Sequence, residues 1–306
     1  MQDQGLIGFV GVGVMGNPIA KHLMANGHRL IVYDRSEPAM QAMAQAGART
    51  AVTTRQVADE AEIVFTSLPS PAVFTQVLTG EDGLQGGGGV RIVVDLSTVG
   101  SRATRHAAAV LRARGIELVD APVSGGAAGA RAGTLAVMVA GDPEAVSRVS
   151  ELLQAFGKLF MVGPEPGQAQ LLKLLNNMLS STAFAVTSEA FVAGVKGGLD
   201  PQVMMSAINA GSGRSAASQE KFMKQVLPRS FDFGFPISSV CKDIGLAVEE
   251  CEALGVPMWV GAMARQVWNF AGRQHGMDRD MTELVKSVEE WAGADVPNAP
   301  NAPNAP

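Results

Sequence analysis

Three glycines, Gly11, Gly13 and Gly16, lie at and just past the end of an apolar run from Leu6 to Val12, and Asp34 lies about 20 residues further on. In a G-x-G-x-x-G turn the first glycine permits a tight bend, the second lets the backbone approach a ligand, and the third lets a helix pack closely. Unpaired amides at the start of that helix then face a phosphate. A carboxylate at the spacing of Asp34 suits the hydroxyls of a ribose. The turn residues Gly11, Gly13, Val14, Met15 and Gly16, together with Asp34 and its neighbour Arg35, are therefore candidates to hold a dinucleotide. Asp34 would repel a 2′-phosphate, whereas Arg35 and Ser36 could attract one. Because Asp34 takes the strand end, NAD is favoured over NADP.

A second set of polar residues sits in an apolar stretch. Gln170, Lys173, Asn177 and Ser181 recur at helical spacing, and no charged residue occurs from Leu174 to Ser188. This pattern predicts a helix buried nearly all round, with the polar stripe facing a polar cavity and Lys173 as a poorly solvated cation. Burial disfavours the ammonium form and suits the amine to proton transfer. The third set is Asp120-Ala-Pro-Val-Ser124-Gly125-Gly126, where Ser124 offers a hydroxyl and the two glycines let backbone amides turn inward on an anion. It follows a strand-like run, at the edge where open parallel sheets bind ligands.

The elements that position these groups alternate. Strand-like runs at 6–12, 30–34, 63–68, 92–96 and 118–121 are separated by helical stretches at 15–26, 38–46, 72–78 and 101–114. Further strands at 135–140 and 160–162 flank a helix at 143–155. The fold class is α/β, a doubly wound parallel sheet of Rossmann type, followed by an all-α domain. Past the breaker-rich segment 163–167 the pattern is helical, at about 169–195, 201–209, 238–254, 257–275 and 280–292. This gives a dinucleotide-binding domain at 1–165, a helical domain for substrate and oligomerisation at 166–296, and a disordered Pro/Asn/Ala tail at 297–306.

The composition excludes several classes. The 306 residues are 47% apolar and 17% charged, with a net charge of −5, which provides no basic surface for nucleic acid. No polar-free run approaches the roughly 18 residues of a membrane span, and no basic-then-apolar leader opens the chain, so a cytoplasmic location is expected. Cys241 and Cys251 lie ten residues apart in one predicted helix, about 15 Å along its axis, and are expected to be buried, unbridged thiols. The four histidines do not cluster, so no metal site is expected.

The motifs Gly8-Phe-Val-Gly-Val-Gly-Val-Met-Gly-Asn-Pro, Asp120-Ala-Pro-Val-Ser-Gly-Gly, Gly167 with Lys173-Leu-Leu-Asn-Asn, and Lys242-Asp-Ile-Gly-Leu-Ala occur in one order over about residues 5 to 292. Together they resemble the β-hydroxyacid dehydrogenase family, 3-hydroxyisobutyrate dehydrogenase-like enzymes of the 6-phosphogluconate dehydrogenase superfamily. The resemblance implies NAD(P)-dependent interconversion of a small 3-hydroxy acid with its semialdehyde or oxo acid, usually by a homodimer or homotetramer. It puts the catalytic lysine on Lys173, the substrate-orienting asparagine on Asn177 and the carboxylate loop on Ser124, Gly125 and Gly126. It puts cofactor contacts on Leu68, Pro69, Thr98 and Lys242. The segment Gly211-Ser-Gly-Arg214-Ser215 and Lys221 are expected to border the substrate, where Arg214 could read a second acid or serve only as a surface loop. Two alternatives share the scaffold: an imine reductase, in which the lysine position tends to differ, and a non-catalytic cofactor-binding module.

Overall fold

A computed structural model describes residues 5–294; the predicted tail at 297–306 lies outside the described residues. The chain divides into two compact units between Lys173 and Leu174. The first unit carries nine strands: β1 (Ile7–Val10), β2 (Leu30–Tyr33), β3 (Arg49–Thr50), β4 (Ile63–Thr66), β5 (Ile92–Asp95), β6 (Glu117–Asp120), β7 (Val123–Ser124), β8 (Leu135–Ala140) and β9 (Gly157–Gly163). They form one sheet in the order β3-β2-β1-β4-β5-β6-β8-β7, with β9 on β8. Pairing is parallel from β3 through β6, whereas β8 runs antiparallel to β6 and β7, so the sheet is mixed at one end.

The central parallel strands are mostly apolar because helices cover both faces, as the fully buried β1 and β5 show, whereas the two-residue edge strand β3 is polar and exposed. Helices α1 (Gly16–Ala25), α2 (Glu37–Gln45), α3 (Thr54–Glu60), α4 (Pro71–Thr79), α5 (Ser101–Arg112), α6 (Gly126–Ala132) and α7 (Pro143–Gln154) alternate with the strands. Several start on a side-chain cap: Ser36 accepts from Ala39 N, Ser70 from Val73 N, and Asp142 from the Glu144 and Ala145 amides. Two buried clusters result, one on each face, the first centred on Phe9, Phe65 and Phe156 and the second on Val64, Phe74 and Leu111.

Two helices here have no counterpart in the sequence pattern. Helix α3 is seven residues of mostly polar sequence, set by the Thr53 cap on Gln56 N. Helix α6 reads Gly-Ala-Ala-Gly-Ala-Arg-Ala, a composition that resembles a loop until its packing against α1 and β8 is known.

The second unit is helical: most of α8 (Gln168–Lys196), then α9 (Pro201–Ala210), a π-helix at Ala217–Val226, α10 (Ile237–Ala253), α11 (Trp259–His275), a 3-10 turn and α12 (Leu284–Ala292). Its core gathers Phe184, Phe191, Phe222 and Trp268. Cys241 is half-buried and Cys251 buried in α10, both free, with burial raising both thiol pKa values.

Helix α8 differs from expectation in two ways. It is not buried all round: Leu172, Leu179 and Val186, spaced by seven, are 39%, 68% and 57% exposed. By length and composition it also meets the criteria for a membrane span, with a mean hydropathy of 1.3 over its most apolar window, which is 28% buried. Its amides and hydroxyls, Gln170 to Ser181, interrupt the polar-free run that sequence reading looks for; averaged hydropathy does not register them.

Candidate active site

In the first unit the glycine turn leaves β1 at the C-terminal edge of the sheet, beside the point where strand order reverses between β1 and β4. Gly11 has a φ of 90°, and a Cβ there would collide with the Ser67 carbonyl oxygen. A Cβ on Gly16 would strike the Gly11 carbonyl oxygen, so close helix packing requires a glycine. A Cβ on Gly13 would meet nothing within 4 Å. The middle glycine therefore faces open space at the start of α1, as a pyrophosphate cradle requires, and Val14 beside it is 72% exposed.

Asp34 follows β2 and ties this turn in place. Its Oδ2 accepts from Val12 N at 2.8 Å and its Oδ1 from Ser36 N at 2.8 Å. A carboxylate offers about four acceptor sites, so both oxygens retain capacity for ribose hydroxyls. Arg35 is exposed.

Leu68 and Pro69 follow β4, and Thr98 follows β5. A chain of hydrogen bonds joins these loops: Leu68 N donates to Ser97 Oγ at 2.8 Å, Ser97 Oγ to Asp95 Oδ1 at 2.6 Å, and Thr66 Oγ1 to the same oxygen at 2.7 Å. Just beyond β6, Ser124 ends the short strand β7, and Gly125 and Gly126 form the step into α6, with φ values of 132° and 63°. These sequence-predicted residues thus share one sheet edge.

Gln170 has a different role from the one its spacing suggested. It is fully buried, and it faces the ends of β5 and β6 rather than a cavity. Its Oε1 accepts from Val99 N at 2.9 Å and Gly100 N at 3.1 Å, while its Nε2 donates to Ser97 O and to Asp120 Oδ1, both at 2.9 Å. Asp120 Oδ2 accepts from Gly167 N at 2.9 Å and Gln170 N at 3.0 Å, at the first turn of α8. Burial pushes the Asp120 carboxyl up to about 7, against the opposing pull of its Gln170 bonds. This network anchors the start of α8, and Lys173 follows Gln170 by one turn. Lys173 is 7% exposed, which agrees with the poorly solvated setting expected of it.

In the second unit, Asn177 is half-buried, and its Nδ2 donates to Asp243 Oδ2 at 2.7 Å. A carboxylate only accepts, so the amide nitrogen is the end that faces Asp243. Asn176 Nδ2 reaches Asn177 Oδ1 at 3.2 Å. Lys242 lies in α10, 3.2 Å from Asp243 Oδ1. Asp243 is 2% exposed and was missed by sequence reasoning, which took its neighbour Lys242 instead. An acid spaced with Val240, Ile244 and Ala247 on an otherwise apolar helix face was the available signal. Ser181, placed in the polar stripe, is buried, and its carbonyl accepts from Trp268 Nε1 at 3.2 Å. Among the described residues no group of three or more His, Cys, Asp or Glu could hold a metal.

Residues 6–163 match the family profile described as the NAD binding domain of 6-phosphogluconate dehydrogenase, and 167–288 match that of NADP-dependent 3-hydroxyisobutyrate dehydrogenase. The chain is 36% identical to 2-(hydroxymethyl)glutarate dehydrogenase of Eubacterium barkeri, over 95% of this chain and 97% of that one. A 3-hydroxyisobutyrate dehydrogenase of Mycobacterium tuberculosis, solved with L-serine, superposes with a TM-score of 0.85 at 28% identity, covering 93% of this chain and 99% of that one. An imine reductase from Pseudomonas sp. reaches a TM-score of 0.61 at 17% identity, over 93% of this chain and 99% of that one, which marks a shared fold. The chain thus belongs to the β-hydroxyacid dehydrogenase family and is an NAD(P)-dependent hydroxyacid dehydrogenase with an N-terminal Rossmann domain and a helical C-terminal domain.

Proposed function

We propose that the protein interconverts a small 3-hydroxy acid with its semialdehyde or oxo acid, with Lys173 as the general acid/base. The observation that carries this is a lysine with 7% exposure one helical turn from an asparagine whose amide is held by a buried carboxylate. Bound at the glycine turn, NAD(P) supplies or accepts the hydride. In oxidation, neutral Lys173 takes the proton of the substrate hydroxyl; in reduction, its ammonium returns it. Asn177 orients that hydroxyl with the amide hydrogen and oxygen not committed to Asp243. Ser124 and the backbone of Gly125 and Gly126 hold the substrate carboxylate. Gly11, Gly13, Val14, Met15 and Gly16 cradle the pyrophosphate, Asp34 and Arg35 meet the adenosine ribose, and Leu68, Pro69, Thr98 and Lys242 complete the cofactor contacts.

NAD is the preferred cofactor on this reading, since a carboxylate at the end of β2 repels a 2′-phosphate. A homodimer or homotetramer is supported by the exposed stripe of α8 and by Trp259, Met263 and Phe270 of α11, exposed by 84%, 66% and 52%. A cytoplasmic location is part of the same proposal. A panel of hydroxy acids assayed with NAD and with NADP tests the reaction and the cofactor together. Reduction of a cyclic imine, with no oxidation of any hydroxy acid, would replace this reading with the imine reductase. NADH binding without turnover of either class would leave only a binding module.

A further inference from the structure

The second unit buries a lysine that the reaction does not use. Lys221 lies in the π-helix Ala217–Val226 and is 7% exposed. Ten residues of π-helix are unusual, because this winding occurs mostly as single-turn bulges at functional sites. Reciprocal bonds fix its entry, from Ser215 N to Ser218 Oγ at 2.8 Å and from Ser218 N to Ser215 Oγ at 3.2 Å. Asn209 Nδ2 adds a bond to Ser218 O at 3.2 Å.

The Lys221 ammonium has little company for its charge. Nζ donates to Ser180 Oγ at 3.1 Å and stands 5.0 Å from the centroid of the Phe233 ring. An ammonium carries three donors, so one hydroxyl leaves it under-supplied. The charged residue acting on it is its neighbour Glu220, which is 63% exposed at its side chain and lies 3.9 Å from Lys224. No carboxylate forms an ion pair with Lys221 among the described residues. Removal from water lowers its pKa, the result expected of a cation buried without a counter-charge. A lysine in that state is costly to the free protein, and an anion placed beside it offsets the cost.

Its location suggests where such an anion would come from. Ser180 follows Asn177 by three residues on α8, so both side chains occupy the same face of that helix. We propose that Lys221 is a specificity residue that receives a second acidic group of the substrate, selecting hydroxy acids with two anionic ends over those with one. This rests on the reaction proposed above, with Asn177 at the reacting alcohol. Phe233 and the π-helix supply the dry wall that makes a charge pair there strong.

A matched pair of substrates tests it: 2-(hydroxymethyl)butanoate and 2-(hydroxymethyl)butanedioate, which differ by a carboxylate in place of a methyl group. The expected result is a kcat/KM for the diacid at least tenfold higher in the wild type. In Lys221→Met the diacid should lose about thirty-fold more than the monoacid, the size expected on truncating one partner of a buried charge pair, and Lys221→Arg should restore part of the difference. Equal kcat/KM for the two acids in the wild type, or equal losses for both in Lys221→Met, would overturn the proposal. Should Lys221→Met fail to fold, the wild-type ratio decides alone. Oxidation of the monoacid with no gain for the diacid defeats only this inference. If neither acid is oxidised, the reaction proposed above fails, and calorimetric binding of each acid to the NADH complex still decides whether the second carboxylate is recognised.

Discussion

The two units hold their functional groups by different means. In the first, the candidate cofactor edge is made of backbone: Gly13 presents open space, Gly11 and Gly16 allow close approach, and Asp34 braces the turn through Val12 N. In the second, side chains meet from distant stretches, Asn177 with Asp243 and Lys221 with Ser180. A site made of backbone is damaged by adding atoms, whereas one made of paired side chains is damaged by removing them.

Lys173→Ala should show the largest effect. It removes the proposed acid/base and should lower kcat by about 10³-fold, within the range of general acid–base catalysis, while NADH still binds. Near-normal kcat would assign the proton to another group. Gly13→Val comes next and tests the first unit. Its side chain enters space that the fold leaves empty, so thermal stability should hold while the NADH Kd, read by fluorescence titration, rises by up to ~100-fold from overpacking against the ligand. Unchanged affinity would place the pyrophosphate elsewhere.

Asp243→Ala tests the second unit. Loss of a charged hydrogen-bond partner should lower kcat about tenfold or more through a misplaced Asn177, with the NADH Kd affected far less. A loss confined to NADH affinity would shift Asp243 to cofactor binding beside Lys242. The smallest effect belongs to Asp120. Its folded pKa of about 7 lies above the ordinary 3.8, so between those values the folded protein holds a proton that the unfolded chain has released. Its contribution to stability is therefore full below the unfolded value and is lost as pH rises towards 7. Melting temperature should decline more between pH 5 and pH 7 in the wild type than in Asp120→Asn, which cannot titrate; parallel curves would show that Asp120 stays ionised throughout.

The same contrast explains what could be read from the chain. The glycine turn, Asp34 and the apolar strands β1, β2, β4 and β5 are local patterns, each complete within one strand-turn-helix unit, so spacing and periodicity revealed them. Asp243 was missed because its partner Asn177 is 66 residues away, and only its apolar neighbours on the helix marked it. Gln170 was visible as polar but misread, since its partners Val99, Gly100 and Asp120 are likewise remote. The π-helix follows neither the strand period nor the usual helical one, so its apolar residues Phe222 and Val226 gave no clear signal. The exposed stripe of α8 could not be told from a core-facing one, because exposed and buried apolar residues at the same helical spacing look alike in sequence.

Helix α8 also has a consequence for engineering. The division between the compact units falls between Lys173 and Leu174, in the interior of 29 continuous helical residues. Expressing either half alone, or grafting this helical half onto another nucleotide-binding half, would require a cut through that rod. Each new end would strand up to about four amides or carbonyls without partners. Chimeras are therefore best joined ahead of Gly167, which keeps the helix whole, and only with a nucleotide-binding donor that supplies an acid at the position of Asp120 to anchor Gln170.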